Sequence, residues 1–289
     1  MGLGRSVPQS RPYLLPFAAQ HSRGNSVPQG VPSVLRHPRT AACARPLPCY
    51  TGRGWQNGSE LATTSPKGNR VIQLLLIPVL ALTVALLILA ESRGARRTAY
   101  ALKPAATVLV LVVAALSLGE ATVDSRYTTW LLVGLGFSLA GDVALMFPSQ
   151  RAFLLGLIAF LVAHIVYAGI FSLYNVLQAA DLVTGSLLLV AAAAVYRYLL
   201  PGLGKLRLPV LLYISVICFM VNRAVSSLFG DAFTPTQAWL VGVGAVLFWV
   251  SDLMLGINRF RRPFRYHRIS LAFYYAGQLL IALSASYSA

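Results

Sequence analysis

Two carboxylates stand where a membrane-spanning run ordinarily carries none. Asp142 lies in the apolar stretch LVGLGFSLAGDVALMF and Asp252 in LVGVGAVLFWVSDLML. A charged side chain deep in a bilayer costs on the order of 3 kcal/mol or more, and it turns toward the bundle interior. Each Asp falls four or five residues before its run ends. The two runs, third and seventh in order, point the same way, so at 1.5 Å per residue both carboxylates lie ~7 Å inside the same end of a bundle. Two carboxylates at one depth can share one site, and such a pair suits general acid–base chemistry or proton relay. The alternative is two separate protonated acids, each bonded to a neighbouring helix.

Other polar residues fall at the same level or behind it. In GLIAFLVAHIVYAGIF, helical spacing puts Gly156, Phe160, His164 and Tyr167 on one face. His164 there is either a helix–helix contact or a substrate contact. Lys103-Pro104 opens the second run, where Pro suits a first helical turn. Lys103 either snorkels to the headgroups or binds a lipid phosphate. Tyr274, Tyr275 and Gln278 enter the last run from that same end. Asn222 and Arg223 sit late in the sixth run, toward the opposite face, where Arg223 snorkels outward or pairs with Asp231. Glu91, Glu120, Asp124 and Asp181 read as interfacial charges.

These residues need a frame, and composition supplies it. Of 289 residues, 57% are hydrophobic and only 11% charged, against roughly 25% charged in a soluble domain. About 20 apolar residues span a bilayer. Apolar runs at 71–90, 101–118, 129–147, 152–173, 181–200, 208–229, 237–256 and 269–287 predict an all-α polytopic membrane bundle of eight helices. Residues 1–70 form a basic Pro/Ser/Arg-rich tail with no apolar period, which predicts disorder, and residues 71–289 form the transmembrane domain.

Charge sets the orientation. The loops after runs one, three, five and seven hold Arg93, Arg96, Arg97, Lys103, Arg151, Arg197, Lys205, Arg207, Arg259, Arg261, Arg262, Arg265 and Arg268, while those after two, four and six hold only Arg126. The first set is predicted to be cytoplasmic. The net charge of +16 thus reads as loops facing an anionic leaflet and not as a nucleic-acid partner. Cys43, Cys49 and Cys218 show no metal-ligand spacing, and no metal or cofactor is called for. GxSxG, HExxH and P-loop patterns do not occur, which leaves serine hydrolase, zinc protease and ATPase readings without support.

LKP at the second run, AGD in the third, FLLGLIAFLVAHIVY in the fourth, SDLMLGINRF in the seventh and YYAGQLLIA in the eighth together resemble the lysoplasmalogenase family, the YhhN-like integral membrane proteins. The resemblance covers roughly residues 72–287. The long tail and the polar Asn222-Arg223 depart from its pattern. The resemblance implies a hydrolase that cleaves the vinyl ether bond of a lysophospholipid drawn from the bilayer. Asp142 and Asp252 would be the acid–base pair. Lys103 and Arg259 would hold the phosphate, with His164, Tyr167, Tyr275 and Gln278 as further substrate contacts. The expected membrane is a bacterial plasma membrane, with the endoplasmic reticulum as alternative. The competing functions are a small proton-coupled transporter and a non-catalytic lipid-binding protein.

Overall fold

The computed structural model describes residues 66–120, 122–261 and 268–288. The tail reading therefore lies largely outside the described residues, as do Cys43, Cys49, Arg262 and Arg265. Eight helices follow one another: α1 Pro66–Ser92, α2 Arg96–Leu116, α3 Ser125–Leu145, α4 Gln150–Leu173, α5 Ala179–Leu199, α6 Arg207–Ser226, α7 Pro235–Phe260 and α8 Ile269–Ser284. Among the described residues all eight are long and apolar enough to cross a membrane. Large aliphatic side chains cover the outer faces, such as Leu182 at 75% and Val190 at 70% exposure. Such a surface belongs in lipid, and the protein is an integral, multi-pass membrane protein.

Most helices start earlier than expected, and the first two shift the most. Helix α1 begins at Pro66 instead of 71, and α2 begins at Arg96 instead of 101. Gly94, at φ 69°, makes the turn between them, a conformation open to Gly without a Cβ penalty. Because α2 starts early, Pro104 lies inside the helix and does not open it. It has no N–H to give back to the preceding turn. Helices α3, α4 and α7 start on side-chain caps. Asp124 accepts from the backbone of Arg126 and Tyr127 at α3, Ser149 from Ala152 at α4, and Thr234 from Gln237 at α7.

Helix contacts define the architecture. Helices α2, α3, α4, α6, α7 and α8 close a ring, each touching the next, and α8 returns to α2. Helix α1 packs outside on α2 and α8, and α5 packs outside mainly on α6. The two halves, α1–α4 and α5–α8, repeat one scheme: α3 pairs with α4 as α7 with α8, and α1 with α2 as α5 with α6.

Glycine makes the closest pairs possible. A Cβ on Gly244 of α7 would stand 2.9 Å from the Gly277 carbonyl of α8, and one on Gly277 would stand 2.7 Å from the Gly244 carbonyl. On α3, Gly134 and Gly141 leave room for the Tyr167 and Phe160 rings of α4. Without a hydrophobic drive between helices in lipid, such small-residue contacts hold a bundle together. Gly141 precedes Asp142, so this packing sets where the first carboxylate points.

Candidate active site

Asp142 is 2% exposed, and three donors converge on it. Thr107 donates to Oδ2 at 2.6 Å, Tyr274 donates to the same oxygen at 2.7 Å, and the Lys103 ammonium stands 3.4 Å from Oδ1. Lys103 and Thr107 are one turn apart on α2, so both reach the face turned to α3. Tyr274 arrives from α8. Lys103 is thus a partner of the carboxylate and not a free snorkelling cation.

Behind this layer lies a second one. The Tyr275 hydroxyl donates to the Lys103 carbonyl at 2.9 Å, fastening α8 to α2 beside Pro104. Gln278 donates to the Tyr274 hydroxyl at 3.2 Å, and Tyr167 donates to the Gln278 carbonyl oxygen at 3.4 Å. A chain of buried side chains therefore runs from Asp142 back through α8 to α4. Buried polar groups that are fully paired make a rigid support.

Asp252 has different neighbours. The Tyr213 hydroxyl of α6 donates to its Oδ2. His164 of α4 is fully buried, with Nε2 at 3.9 Å from that oxygen, too far for a hydrogen bond. The imidazole packs edge-on against Phe248 and Tyr213, with centroids 4.8 and 5.3 Å away.

Both carboxylates line one cavity of about 370 Å³. It opens at the end of the bundle that carries the basic loops. Lys103, Arg259 and Arg268 share its lining with Glu91 and Asn258. Of the residues expected at the site, Asp142, Asp252, Lys103 and Arg259 meet there. His164, Tyr167, Tyr275 and Gln278 do not line it; they stand behind the residues that do. Thr107, Tyr213 and Arg268 were not singled out as site residues from sequence. Thr107 was findable from its one-turn spacing to Lys103, whereas a tyrosine such as Tyr213 in an apolar run carries no distinguishing signal. Among the described residues no three His, Cys, Asp or Glu side chains gather as a metal-ligand set.

The opposite end corrects two expectations. Arg223 neither snorkels nor pairs with Asp231. It is 1% exposed and bonds Asp181 at 2.5 Å, with a second bond to the Asn175 carbonyl. Asp181 is accordingly a buried partner that also caps the start of α5, and not an interfacial charge. Helix α5 lies outside the ring, and a charge pair to α6 is what anchors its first turn. Glu120 is likewise buried, paired with Arg70 of α1 at 3.2 Å.

The fold and cavity define a class: a polytopic membrane protein with two carboxylates in a cation-rimmed cavity at one end of the bundle. The chain belongs to the YhhN family, whose model matches residues 98–285. It is 38% identical over 161 residues to lysoplasmalogenase TMEM86A of Bos taurus, covering 54% of this chain and 65% of that protein. It is 35% identical over 163 residues to lysoplasmalogenase TMEM86B of Sus scrofa, 56% of this chain and 66% of that protein. With the lysoplasmalogenase of Mycobacterium tuberculosis it shares 36% over 178 residues, 58% of this chain and 64% of that protein. The matched stretches thus span just under two thirds of each relative. No solved structure matches the chain.

Proposed function

We propose that this protein hydrolyses the vinyl ether bond of a lysoplasmalogen, giving a fatty aldehyde and a glycerophospho-ethanolamine or -choline. One observation carries the reading: Asp142 and Asp252 line a single cavity beneath Arg259 and Arg268. The names of its relatives point the same way. The substrate is a lysophospholipid taken from the leaflet that faces the basic loops, which we assign to a bacterial plasma membrane.

The chemistry asks for an acid that protonates carbon, a negative charge beside the cation that forms, and a base that delivers water. Two carboxylates in different environments meet all three demands, as in glycosidases. Asp142, with a cation and two hydroxyls aimed at it, is suited to stay the carboxylate. Asp252, with one hydroxyl and no bonded cation, is suited to be the acid. Asp252 gives its proton to the vinyl carbon remote from oxygen, and the double-bond pair forms the new C–H bond. The oxocarbenium ion that results faces Asp142. Water adds to its carbon as Asp252, now ionised, takes the water proton and is restored as the acid. The hemiacetal hydroxyl then gives up its proton as the bond to the glycerol oxygen breaks, that oxygen takes up the proton and leaves as the alcohol, and the aldehyde departs. One water is consumed. Arg259 and Arg268 hold the phosphate, and Lys103 keeps Asp142 in place. Tyr275, Gln278, Tyr167 and His164 support these groups from behind.

Asp142→Asn and Asp252→Asn test the mechanism, since each keeps the side-chain volume. Loss of a positioned acid or base lowers the rate by about 10²- to 10⁴-fold. Aldehyde release from lysoplasmalogen by purified, detergent-folded protein is the measurement. Both variants working at the unmutated rate would falsify the mechanism.

A further inference from the structure

The polar cavity has an apolar neighbour. A cleft opens beside Asp252, walled by α4, α5, α6 and α7 with Leu145 of α3, and it shares Leu145, Phe153, Phe160, Asp252, Leu255 and Arg259 with the cavity. Beyond that mouth its lining is almost wholly carbon, from Leu199 on α5 and Val210 on α6 down to Ala192, Ile217 and Trp249. On α5 and α6 this run covers roughly 10 Å at 1.5 Å per residue. The direction is from the basic end toward the middle of the bundle. Its outer wall is α5, the helix outside the ring, whose far side exposes Leu189 and Val190 at 70% each. A single helix therefore separates the cleft from lipid.

We propose that this cleft binds the alkenyl chain of the lysolipid, and that Ala192, Ile217 and Trp249 set the chain length accepted. The inference rests on the reading of the reaction given above. A single-chain lipid has one charged head and one apolar chain, and a vinyl ether bond lies where they join. Asp252 lies at the matching junction, for it lines both spaces, whereas Asp142 lines the polar cavity and is absent from the cleft lining. With the phosphate at Arg259 and Arg268 and the chain between α5 and α6, the first chain carbons pass Asp252. That is where the acid is needed. Continuity of the two spaces also selects the occupant, since a soluble molecule has no use for an apolar extension of this length.

The test uses full-length protein and two lipid series of graded chain length. Saturated alkyl-ether lysolipids have no vinyl group to protonate, so their binding reads the cleft alone. Lysoplasmalogens read the reaction. Ala192→Phe fills the inner end, and it is expected to weaken binding of the longest alkyl ethers at least tenfold and to shift the preferred length downward in both series. Trp249→Ala removes atoms and shifts the preference upward, which keeps the test open if the larger side chain disturbs folding. Ala193→Phe, on the lipid-exposed side of the same helix, leaves the length profile unchanged. Binding that falls by the same factor at every length in Ala192→Phe, or a profile unmoved in both cleft variants, overturns the assignment. A shifted binding profile in a protein that releases no aldehyde from any lysoplasmalogen supports the cleft and overturns the reaction.

Discussion

Replacing Tyr274 with Phe removes one hydroxyl from the site and almost nothing else. The ring is held by Phe160, Phe248 and Tyr275, with centroids 5.9, 5.2 and 4.8 Å away, and Phe fills the same space. The lost hydroxyl donates to Asp142 Oδ2 at 2.7 Å and accepts from Gln278 at 3.2 Å. A hydrogen bond to a charged group is worth about 1.5–3 kcal/mol. If the Asp142 charge acts on the transition state, kcat/KM falls by about 10- to 150-fold. Independently, Gln278 is fully buried and loses an acceptor, which costs about 1–3 kcal/mol of stability. Aldehyde release measures the first effect and thermal unfolding in detergent the second. Thr107→Val removes the other hydroxyl from the same oxygen, at 2.6 Å. Because both donors serve one atom, the double variant is expected to depart from additivity by about 0.5–3 kcal/mol. A Tyr274→Phe protein that melts earlier yet keeps the unmutated kcat/KM refutes the role given to Asp142. In that case the hydroxyl is structural and the charge lies elsewhere.

Two further predictions concern the frame and not the reaction. Arg223→Ala leaves Asp181 buried without its partner, at a cost of about 3–5 kcal/mol. The thermal midpoint drops, while activity per folded molecule holds, because the pair sits at the far end from the cavity; an unchanged midpoint counts against the anchoring role. Asp124→Ala removes the α3 cap, worth about 1 kcal/mol. The Tyr174 hydroxyl, 2.6 Å from the Asp124 carboxylate, holds that group below its ordinary pKa of 3.8. A depressed folded-state value stabilises the protein fully above 3.8, and the contribution is lost as the pH falls through the lower folded value. Melting curves of the variant and the unmutated protein are therefore expected to differ near neutrality and to converge in acid.

The frame was legible because lipid imposes a strict rule on sequence. Every spanning run must be apolar and about 20 residues long, so the eight helices and the two misplaced carboxylates stood out together. Helix starts were less legible. Arg96 and Arg97 are charged, and a reading by apolarity excludes them, yet the turn at Gly94 allows α2 to begin there. The partners were the least legible part. Thr107 and Tyr213 are ordinary in membrane helices, and nothing in their own stretches says which neighbouring helix they face. Arg223 misled for a related reason: a charge near a helix end reads as snorkelling unless Asp181, on a different helix, is known to lie against it.

Chemical difference on a repeated frame explains the site better than either carboxylate does alone. Asp142 on α3 and Asp252 on α7 occupy matching places in two halves with the same helix contacts. Each is met by the preceding helix of its own half and by the last helix of the other half. The side chains supplied differ: Lys103, Thr107 and Tyr274 reach Asp142, whereas Tyr213 and His164 stand at Asp252. Two like carboxylates in like settings would compete for one proton. On the mechanism proposed above, unequal partners remove that competition, leaving one group to carry the charge and the other the proton. The packing glycines of the LVGxG segments recur in both halves, but the spacing from them to Asp does not, so the repeat is weak in sequence where the chemistry must diverge. Parallel repeats also occur in carriers, whose sites lie near the bilayer midplane. Here the carboxylates lie at one end, beside the arginines that would meet a headgroup, which is the depth a lysolipid ether bond requires.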